Sequence, residues 1–164
     1  MVNADLIANY RADSNEIPLA EVDLAILRVL SSDARISNKD LAERVGLAPS
    51  TCLGRVNALK SRGVITGFRA EINYEMLGLH VFGMIAVRVT PLGRSQLNQL
   101  IERLLGVAAT LEVFQVSGER DLLVHIATAH PTGLHRYIEE HLSDQLIAHT
   151  QTSLVFGHHR AEGQ

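Results

Sequence analysis

Apolar side chains near the N-terminus recur at helical spacing. Within residues 19–33 they stand four, one and three positions apart, at Val22, Ile26, Leu27 and Leu30. This spacing predicts an amphipathic helix that ends near residues 31–33. Pro18 disfavours helical geometry in the residue before it, so residues 1–18 are expected to form a tail.

A second helix is predicted to begin after Ser37. Ser37 and Asp40 form an S-x-x-D capping signature, in which the hydroxyl accepts a hydrogen bond from a free backbone N–H. The apolar stripe that follows consists of Leu41, Ala42 and Val45. Gly46 comes directly afterwards and is expected to end the helix, since glycine adopts a positive φ without strain.

A third helix is predicted to begin at Pro49, because the first turn of a helix tolerates the missing N–H of proline. Its core-facing residues, spaced by four and three, are Cys52, Val56 and Leu59. The residues left on the outward face or its flanks are Ser50, Thr51, Leu53, Gly54, Asn57 and Lys60.

Two short helices joined by a tight turn are typical of a helix-turn-helix, whose second helix lies in the DNA major groove. Small polar side chains on the outward face can hydrogen-bond to base edges, and Arg55, Lys60 and Arg62 can reach phosphates. Residues 37–69 carry six Lys or Arg residues and two acidic ones, which favours a polyanionic partner. An exposed helix face without a ligand would show the same pattern, so the pattern alone leaves both interpretations open.

The next segment, VITGFRAEINYEMLG, is interpreted as two short strands around Thr66-Gly67, followed by a turn. Strands at this position would form the wing of a winged helix-turn-helix. We therefore assign residues 19–67 to a DNA-binding domain and residues 68–80 to a linker strand or hinge.

The pattern then changes to alternating strands and helices. Strands are predicted over residues 82–90, 110–117, 122–129 and 147–156. The first intervening helix carries its apolar face at Leu97, Leu100, Ile101, Leu104 and Leu105, and the second at Leu134, Tyr137, Ile138 and Leu142. The order strand, helix, strand, strand, helix, strand predicts a ferredoxin-like βαββαβ domain over residues 81–164, so the chain as a whole is α+β.

The first of these strands is apolar on both faces. Ile85, Val87 and Val89 would lie on one face, and Phe82, Met84 and Ala86 on the other. Two helices cover only one face of a four-stranded sheet. The second face is therefore expected to pack against the same sheet of a second subunit.

Charge and hydropathy indicate in which cellular compartment the protein is expected. The net charge is −3, and no window reaches the roughly 18 unbroken apolar residues of a membrane span. The N-terminus has no basic start, apolar centre or small-residue cleavage site, so we expect a cytoplasmic protein with no membrane partner.

The eight histidines, all after residue 71, suggest an enzyme or a metal-sensing regulator as alternatives. The candidate bases and ligands are His125, His130, His135, His141, His149 and the His158-His159 pair. His130, His135 and His141 stand five and six apart, whereas ligands on one helix face need three or four. The lone Cys52 is interpreted as a small buried side chain. We expect no catalytic residue, metal or cofactor. A metal-sensing regulator remains the alternative interpretation.

Taken together, the motifs resemble those of the Lrp/AsnC regulators, the leucine-responsive and asparagine-operon family. The matching segments are LAEVD at 19–23, Ile26-Leu27, DARIS at 33–37, Leu41-Ala42, VGLAPST at 45–51, Arg55-Val56, Leu59, GVITG at 63–67 and GERD at 118–121. They occur in the family's order and span roughly residues 19–156.

The resemblance implies a transcription regulator that binds double-stranded DNA, forms dimers and assembles further into tetramers or octamers. It also implies an amino acid effector bound near the Gly-x-x-Asp turn, at the contact between dimers. The effector-site residues by this resemblance are Gly118, Glu119, Arg120, Asp121, Thr150 and Thr152. Asp121 would bind the ammonium group, while backbone N–H groups and the threonine hydroxyls would bind the carboxyl group.

The chain departs from the family pattern at several positions. Ala20 and Ala48 replace residues that usually cap helices. Arg120 replaces a common aromatic residue; either the effector is acidic or polar, or Arg120 pairs with Glu119 or Asp121 and alters the site. Gly54 and Asn57 make the third helix less basic than in many relatives.

Overall fold

The computed structural model describes Ile7 and residues 18–157. Apart from Ile7 and Pro18, the predicted tail lies outside the described residues, and so does the His158-His159 pair. The chain forms two compact units, of which the first ends at Glu71 and the second begins at Ile72. Over the described ranges, no helix is long and apolar enough to span a bilayer.

The first unit contains the three predicted helices, α1 (Glu21–Ser32), α2 (Asn38–Arg44) and α3 (Pro49–Ser61). The Ser37 hydroxyl accepts the Asp40 N–H, and Gly46 ends α2 with a φ of +67°. The buried core consists of Ile26, Leu41, Ala42, Cys52, Val56 and Leu59. Both the capping signature and the helical spacing are therefore confirmed.

Helix α1 begins without a side-chain cap, as the alanine at position 20 predicts. Half of a capping box nevertheless remains, because the Asp23 carboxylate accepts the Ala20 N–H at 3.1 Å. Helix α3 also lacks a side-chain cap at Ala48 and starts instead with Pro49. Of the two helices without a side-chain cap, α1 thus has a hydrogen bond to Asp23 that partly replaces it.

The prediction of two short strands around Thr66-Gly67 is wrong, since the described residues 62–80 form no strand. Val64 and Ile65 instead pack against the core of the first unit, and both donate backbone N–H bonds to Leu59 O. A two-stranded hairpin is marginal in water unless it packs on another element, and here its apolar residues serve the helical core. The segment contains a single 3₁₀ turn at Glu75–Leu77.

The second unit is a four-stranded antiparallel sheet in the order β2-β3-β1-β4. Its strands are β1 (Val81–Val89), β2 (Thr110–Gln115), β3 (Leu122–Thr128) and β4 (Ile147–Leu154). The connecting helices are α4 (Pro91–Ser95), α5 (Leu97–Leu105) and α6 (Pro131–His141). The predicted ferredoxin-like βαββαβ order is confirmed.

Two details of the helical layer differ from prediction. The helix expected after Pro91 is interrupted at Gln96, which separates α4 from α5. Leu105 is exposed although its spacing placed it with the apolar face, because α5 ends at this residue. The core between helices and sheet is otherwise as expected and includes Ile85, Val87, Leu100 and Tyr137.

The opposite face of the sheet, here called the open face, also carries apolar residues. Phe82, Met84 and Ala86 of β1 lie opposite Ala127, His125 and Leu123 of β3. Phe114 of β2 shares this face, pairs with Leu123 and remains exposed. The predicted two-faced character of β1 is therefore confirmed.

The close approach of α4 to the segment before β4 makes Gly93 sensitive to substitution. Thr90 N–H donates to Leu146 O, and a Cβ added at Gly93 would overlap that same carbonyl oxygen. We expect Gly93→Ala to lower the free energy of unfolding of the second unit by about 2 kcal/mol, as overpacking typically does. Thermal melts should show a lower midpoint, whereas Gly106→Ala, whose Cβ would have no neighbour closer than 3.4 Å, serves as the control. Equal midpoints for the two variants would contradict the steric argument.

Candidate nucleic-acid interface and ligand site

The outward face of α3 is exposed as predicted. Cys52, Val56 and Leu59 point into the core, which turns the rest of the helix to solvent. The exposed residues among the sequence candidates are Ser50, Thr51, Leu53, Gly54, Asn57, Lys60 and Arg62. Hydroxyl, amide and apolar groups on one helix face can contact both base edges and a thymine methyl group.

Arg55 pairs with a carboxylate of α1 in the structure. Its Nη1 donates to Asp23 Oδ1 at 2.8 Å, and Asp23 is only 6% exposed. The guanidinium of Arg55 is therefore held by a buried carboxylate of α1 and is not a free outward cation. The pair joins α3 to α1, so we expect Arg55 to hold α3 in place more than to contact a phosphate.

The other two basic residues keep their charge available to a polyanion. Lys60 Nζ lies 5.0 Å from the centroid of the Phe68 ring, and Arg62 Nη2 donates to Pro18 O at 2.7 Å. Both of these partners are uncharged, so neither cation is neutralised by them. Lys60 and Arg62 therefore fit phosphate contacts better than Arg55 does.

A side chain that sequence reasoning missed fixes the turn between α2 and α3. Asn38 Nδ2 donates to Pro49 O at 2.8 Å across eleven positions. This bond joins the first residue of α2 to the first turn of α3. No local pattern indicates it, because an asparagine at the start of a helix is common.

The Gly118 turn brings Asp121 onto the end of β1. Gly118 has a φ of +108°, and the Asp121 N–H donates to Val87 O at 2.9 Å. Asp121 Oδ2 accepts the Val89 N–H at 2.9 Å, while Oδ1 accepts Arg94 Nη2 at 2.8 Å. Asp121 therefore has one oxygen bonded to the backbone of β1 and the other bonded to an exposed side chain.

The two threonines lie on the other side of β1 from this turn. Thr150 pairs with Val87 and Thr152 pairs with Ile85 in the β1–β4 register. Val87 thus bonds to Asp121 on one side and pairs with Thr150 on the other. The structure brings Asp121 and Thr150 to the same half of β1, with Thr152 two pairs further along.

Arg120 pairs with neither Glu119 nor Asp121, the two partners considered from the sequence. Its Nη2 donates to Gln151 Oε1 at 3.1 Å, and Gln151 lies opposite Ala86 on the open face of the sheet. Glu119, the other residue of the turn, is exposed. Arg120 is therefore directed towards the open face, while Asp121 is bonded to Arg94 of the helical layer.

Arg94 is the charged residue of this region that sequence reasoning missed. It lines an open depression of about 580 Å³ together with Val89, Pro91 and Ser95. Its side chain is 71% exposed, compared with 15% for Asp121. The depression is thus lined by the guanidinium that pairs with Asp121, and this guanidinium faces solvent.

The other titratable groups bear on the metal-sensing alternative. Within residues 18–157, no three His, Cys, Asp or Glu side chains lie together in a way that could hold a metal ion. His125 Nδ1 lies 3.8 Å from Glu112 Oε2, and His135 Nδ1 lies 3.3 Å from Glu139 Oε2. Burial raises the pKa of the Cys52 thiol, which disfavours the reactive thiolate.

Comparison with known protein families gives a match for each unit. Residues 19–66 match a model described as winged helix-turn-helix DNA-binding, and residues 83–163 match one described as the Lrp/AsnC ligand binding domain.

Curated relatives span most of the chain. The HTH-type transcriptional regulator AldR of Mycobacterium tuberculosis is 38% identical over 149 residues, which cover 90% of this chain and 83% of the relative. The leucine-responsive regulatory protein of Rhizobium meliloti is 33% identical over 127 residues, which cover 77% and 81%.

Solved structures agree with these matches. The crystal structure of AldR from M. tuberculosis has a TM-score of 0.76 at 32% identity and covers 87% of this chain and 97% of its own. A transcriptional regulator of Neisseria meningitidis in complex with L-Met has a TM-score of 0.78 at 25% identity and covers 88% and 94%.

Proposed function

Because the chain belongs to the Lrp/AsnC family of transcription regulators, we propose that α3 reads the major groove of its DNA target and that an amino acid binds beside Asp121. The protein is a DNA-binding transcription regulator with a ligand-binding domain. Since its relatives are named as regulators, the enzyme alternative is set aside. The observation that carries the proposal is the exposed, polar face of α3 within the matched domain.

On DNA, the side chains of α3 divide into two groups. Ser50, Thr51 and Asn57 contact base edges, and the exposed Leu53 contacts a thymine methyl group. Lys60 and Arg62 contact phosphates and fix the register of the helix. Arg55 supports this surface from behind through Asp23.

The ligand is an amino acid, bound at the turn of residues 118–121 together with Thr150 and Thr152. Asp121 supplies a carboxylate for the ammonium group, and the threonine hydroxyls supply donors for the carboxyl group. The L-Met complex of the Neisseria regulator supports an amino acid as the chemical class. A screen of the twenty amino acids would identify the side chain that this protein prefers.

The protein acts as an assembly of at least two chains. The open face of the sheet, with Phe82, Met84 and Phe114, is apolar enough to pack against the same face of a second copy. Two heads on one dimer would address half-sites about one helical turn, roughly 34 Å, apart. Tetramers or octamers would bring further heads to the DNA, and an effector shifts this assembly by its differential affinity for the two states.

Gly54 offers a test that separates DNA contact from folding. A Cβ at Gly54 would meet nothing within 4 Å, and the residue lies inside α3. We expect Gly54→Ala to stabilise the first unit by about 0.5–1 kcal/mol, because alanine favours helix, and yet to weaken DNA binding, because the added methyl group occupies the face that enters the groove.

Thermal melts and anisotropy titrations with target DNA measure the two effects on one preparation. Ala58→Gly serves as the converse control, since Ala58 is exposed on the same helix and its replacement should lower stability. A Gly54→Ala protein that is stabilised and binds DNA at least as tightly as wild type would exclude close approach of this face to DNA.

A thermal-shift screen of the twenty amino acids tests the proposed ligand class. A ligand that binds only the folded form stabilises it by about 2.7 kcal/mol at a hundred times its Kd, which raises the midpoint by several degrees. We expect at least one amino acid to do so and the same compound to change the sedimentation profile. Twenty flat responses would contradict the amino acid assignment.

A further inference from the structure

The ion pair between Arg94 and Asp121 is asymmetric. Asp121 is largely buried and has one oxygen fixed by the Val89 N–H, whereas Arg94 is mostly exposed and extends from a five-residue helix. Water competes for the exposed guanidinium, whereas the carboxylate is largely buried and needs a partner. We therefore expect the guanidinium to leave Asp121 when another cation takes its place, while the Val89 N–H bond keeps the turn on β1.

The chemistry of an amino acid matches the two halves of this pair. Its ammonium group can replace the guanidinium at Asp121 Oδ1, which stands 2.8 Å from Arg94 Nη2. Its carboxylate can then bind the released guanidinium, whose forked N–H groups suit a carboxylate bidentately. The depression lined by Val89, Pro91, Arg94 and Ser95 provides space next to the pair.

We infer that Arg94 is a specificity-determining ligand residue, which occupies Asp121 in the free protein and binds the carboxylate of the amino acid when the ligand inserts between them. This inference rests on the proposed function and names the group that selects a zwitterion over a simple amine. An amine can displace Arg94 but leaves the guanidinium without a new partner. An amino acid satisfies both charges, so the site discriminates by the carboxylate.

Calorimetry on the full chain tests the inference with each of the twenty amino acids and the amine formed by its decarboxylation. Wild type should bind at least one amino acid more tightly than its amine, by about 10- to 100-fold, which corresponds to a charge-assisted hydrogen bond. Arg94→Gln should bring the two affinities within a few fold, because the variant loses the carboxylate partner and frees Asp121 for the amine. Arg94→Lys keeps a cation but loses the bidentate geometry, so its preference should lie between those of wild type and Arg94→Gln.

Arg103, which pairs with Asp144 at 2.6 Å in the same unit, gives a matched control. Arg103→Gln should leave the amino acid to amine ratio unchanged. If the Arg94→Gln protein binds an amino acid and retains the wild-type ratio, the inference is overturned while the proposed function stands. If wild type binds none of the twenty, the proposed function fails and the inference fails with it.

Discussion

Replacing Arg55 with alanine should lower the free energy of unfolding of the first unit by about 3 kcal/mol, because the change leaves a buried carboxylate without its cation. Among the described residues, the Ala20 N–H is the partner that Asp23 retains after the substitution. The lower end of the usual range for a broken buried pair applies, since Arg55 is itself partly exposed. Denaturant titration of the full chain, with a probe in the first unit, measures the loss.

Two controls separate charge pairing from the lost side-chain contacts. Glu21→Gln removes a carboxylate that is 82% exposed and lies 3.5 Å from Arg28, so it should change stability by less than about 0.5 kcal/mol. Asp23→Asn combined with Arg55→Ala should cost less than the two single changes added together, because the double variant leaves no buried charge.

The salt dependence of DNA binding distinguishes the two roles considered for Arg55. A residue that contacts a phosphate contributes about 0.9 to the slope of log K against log salt. We expect Arg55→Ala to weaken DNA binding with the slope unchanged, and Lys60→Ala to reduce the slope by about one. If the Arg55→Ala protein has wild-type stability and its slope falls by about one, Arg55 contacts a phosphate after all.

Asp121→Asn should weaken binding of the amino acid effector by about 10- to 100-fold, as expected when a charged hydrogen bond to an ammonium group is lost. Asparagine is the suitable replacement, because its carbonyl oxygen can still accept the Val89 N–H that holds the turn on β1. Alanine would remove that bond as well and mix folding with binding. Binding to DNA without effector should be retained.

Calorimetric titration with the amino acid found by the thermal-shift screen measures the effect. Asp144→Asn is the control, since Asp144 pairs with an arginine of the same unit away from the turn. Wild-type affinity in the Asp121→Asn protein would remove Asp121 from the ligand site.

Local patterns were sufficient for the three helices of the first unit, the four strands of the sheet and the outward face of α3. The Ser37 hydroxyl accepts the N–H of Asp40, three positions away, and Gly46 ends the same helix with a positive φ. Both features therefore depend on residues that are close in the sequence. The alternation of β1 likewise follows from neighbouring side chains, and its two apolar faces are present in the sheet. Such features depend on interactions within one element.

The features that sequence reasoning missed depend on distant partners. Arg55 meets Asp23 across 32 positions, and Asp121 meets Arg94 across 27. Spacing within a helix cannot reveal which carboxylate a basic residue faces in the folded chain. The prediction of strands around Thr66-Gly67 was wrong for a related reason. Residues that favour β-structure form a strand only where another strand pairs with them, and Val64 and Ile65 pack on helices instead.

The central claim, that an amino acid controls DNA binding by this protein, is tested most directly by one titration. A labelled DNA fragment from upstream of the protein's own gene is titrated with the full chain at moderate salt, with and without each of the twenty amino acids. We predict salt-sensitive binding whose midpoint shifts in the presence of at least one amino acid, and a shift that is lost in Asp121→Asn. Binding that no amino acid changes, or no binding at all, would contradict the claim.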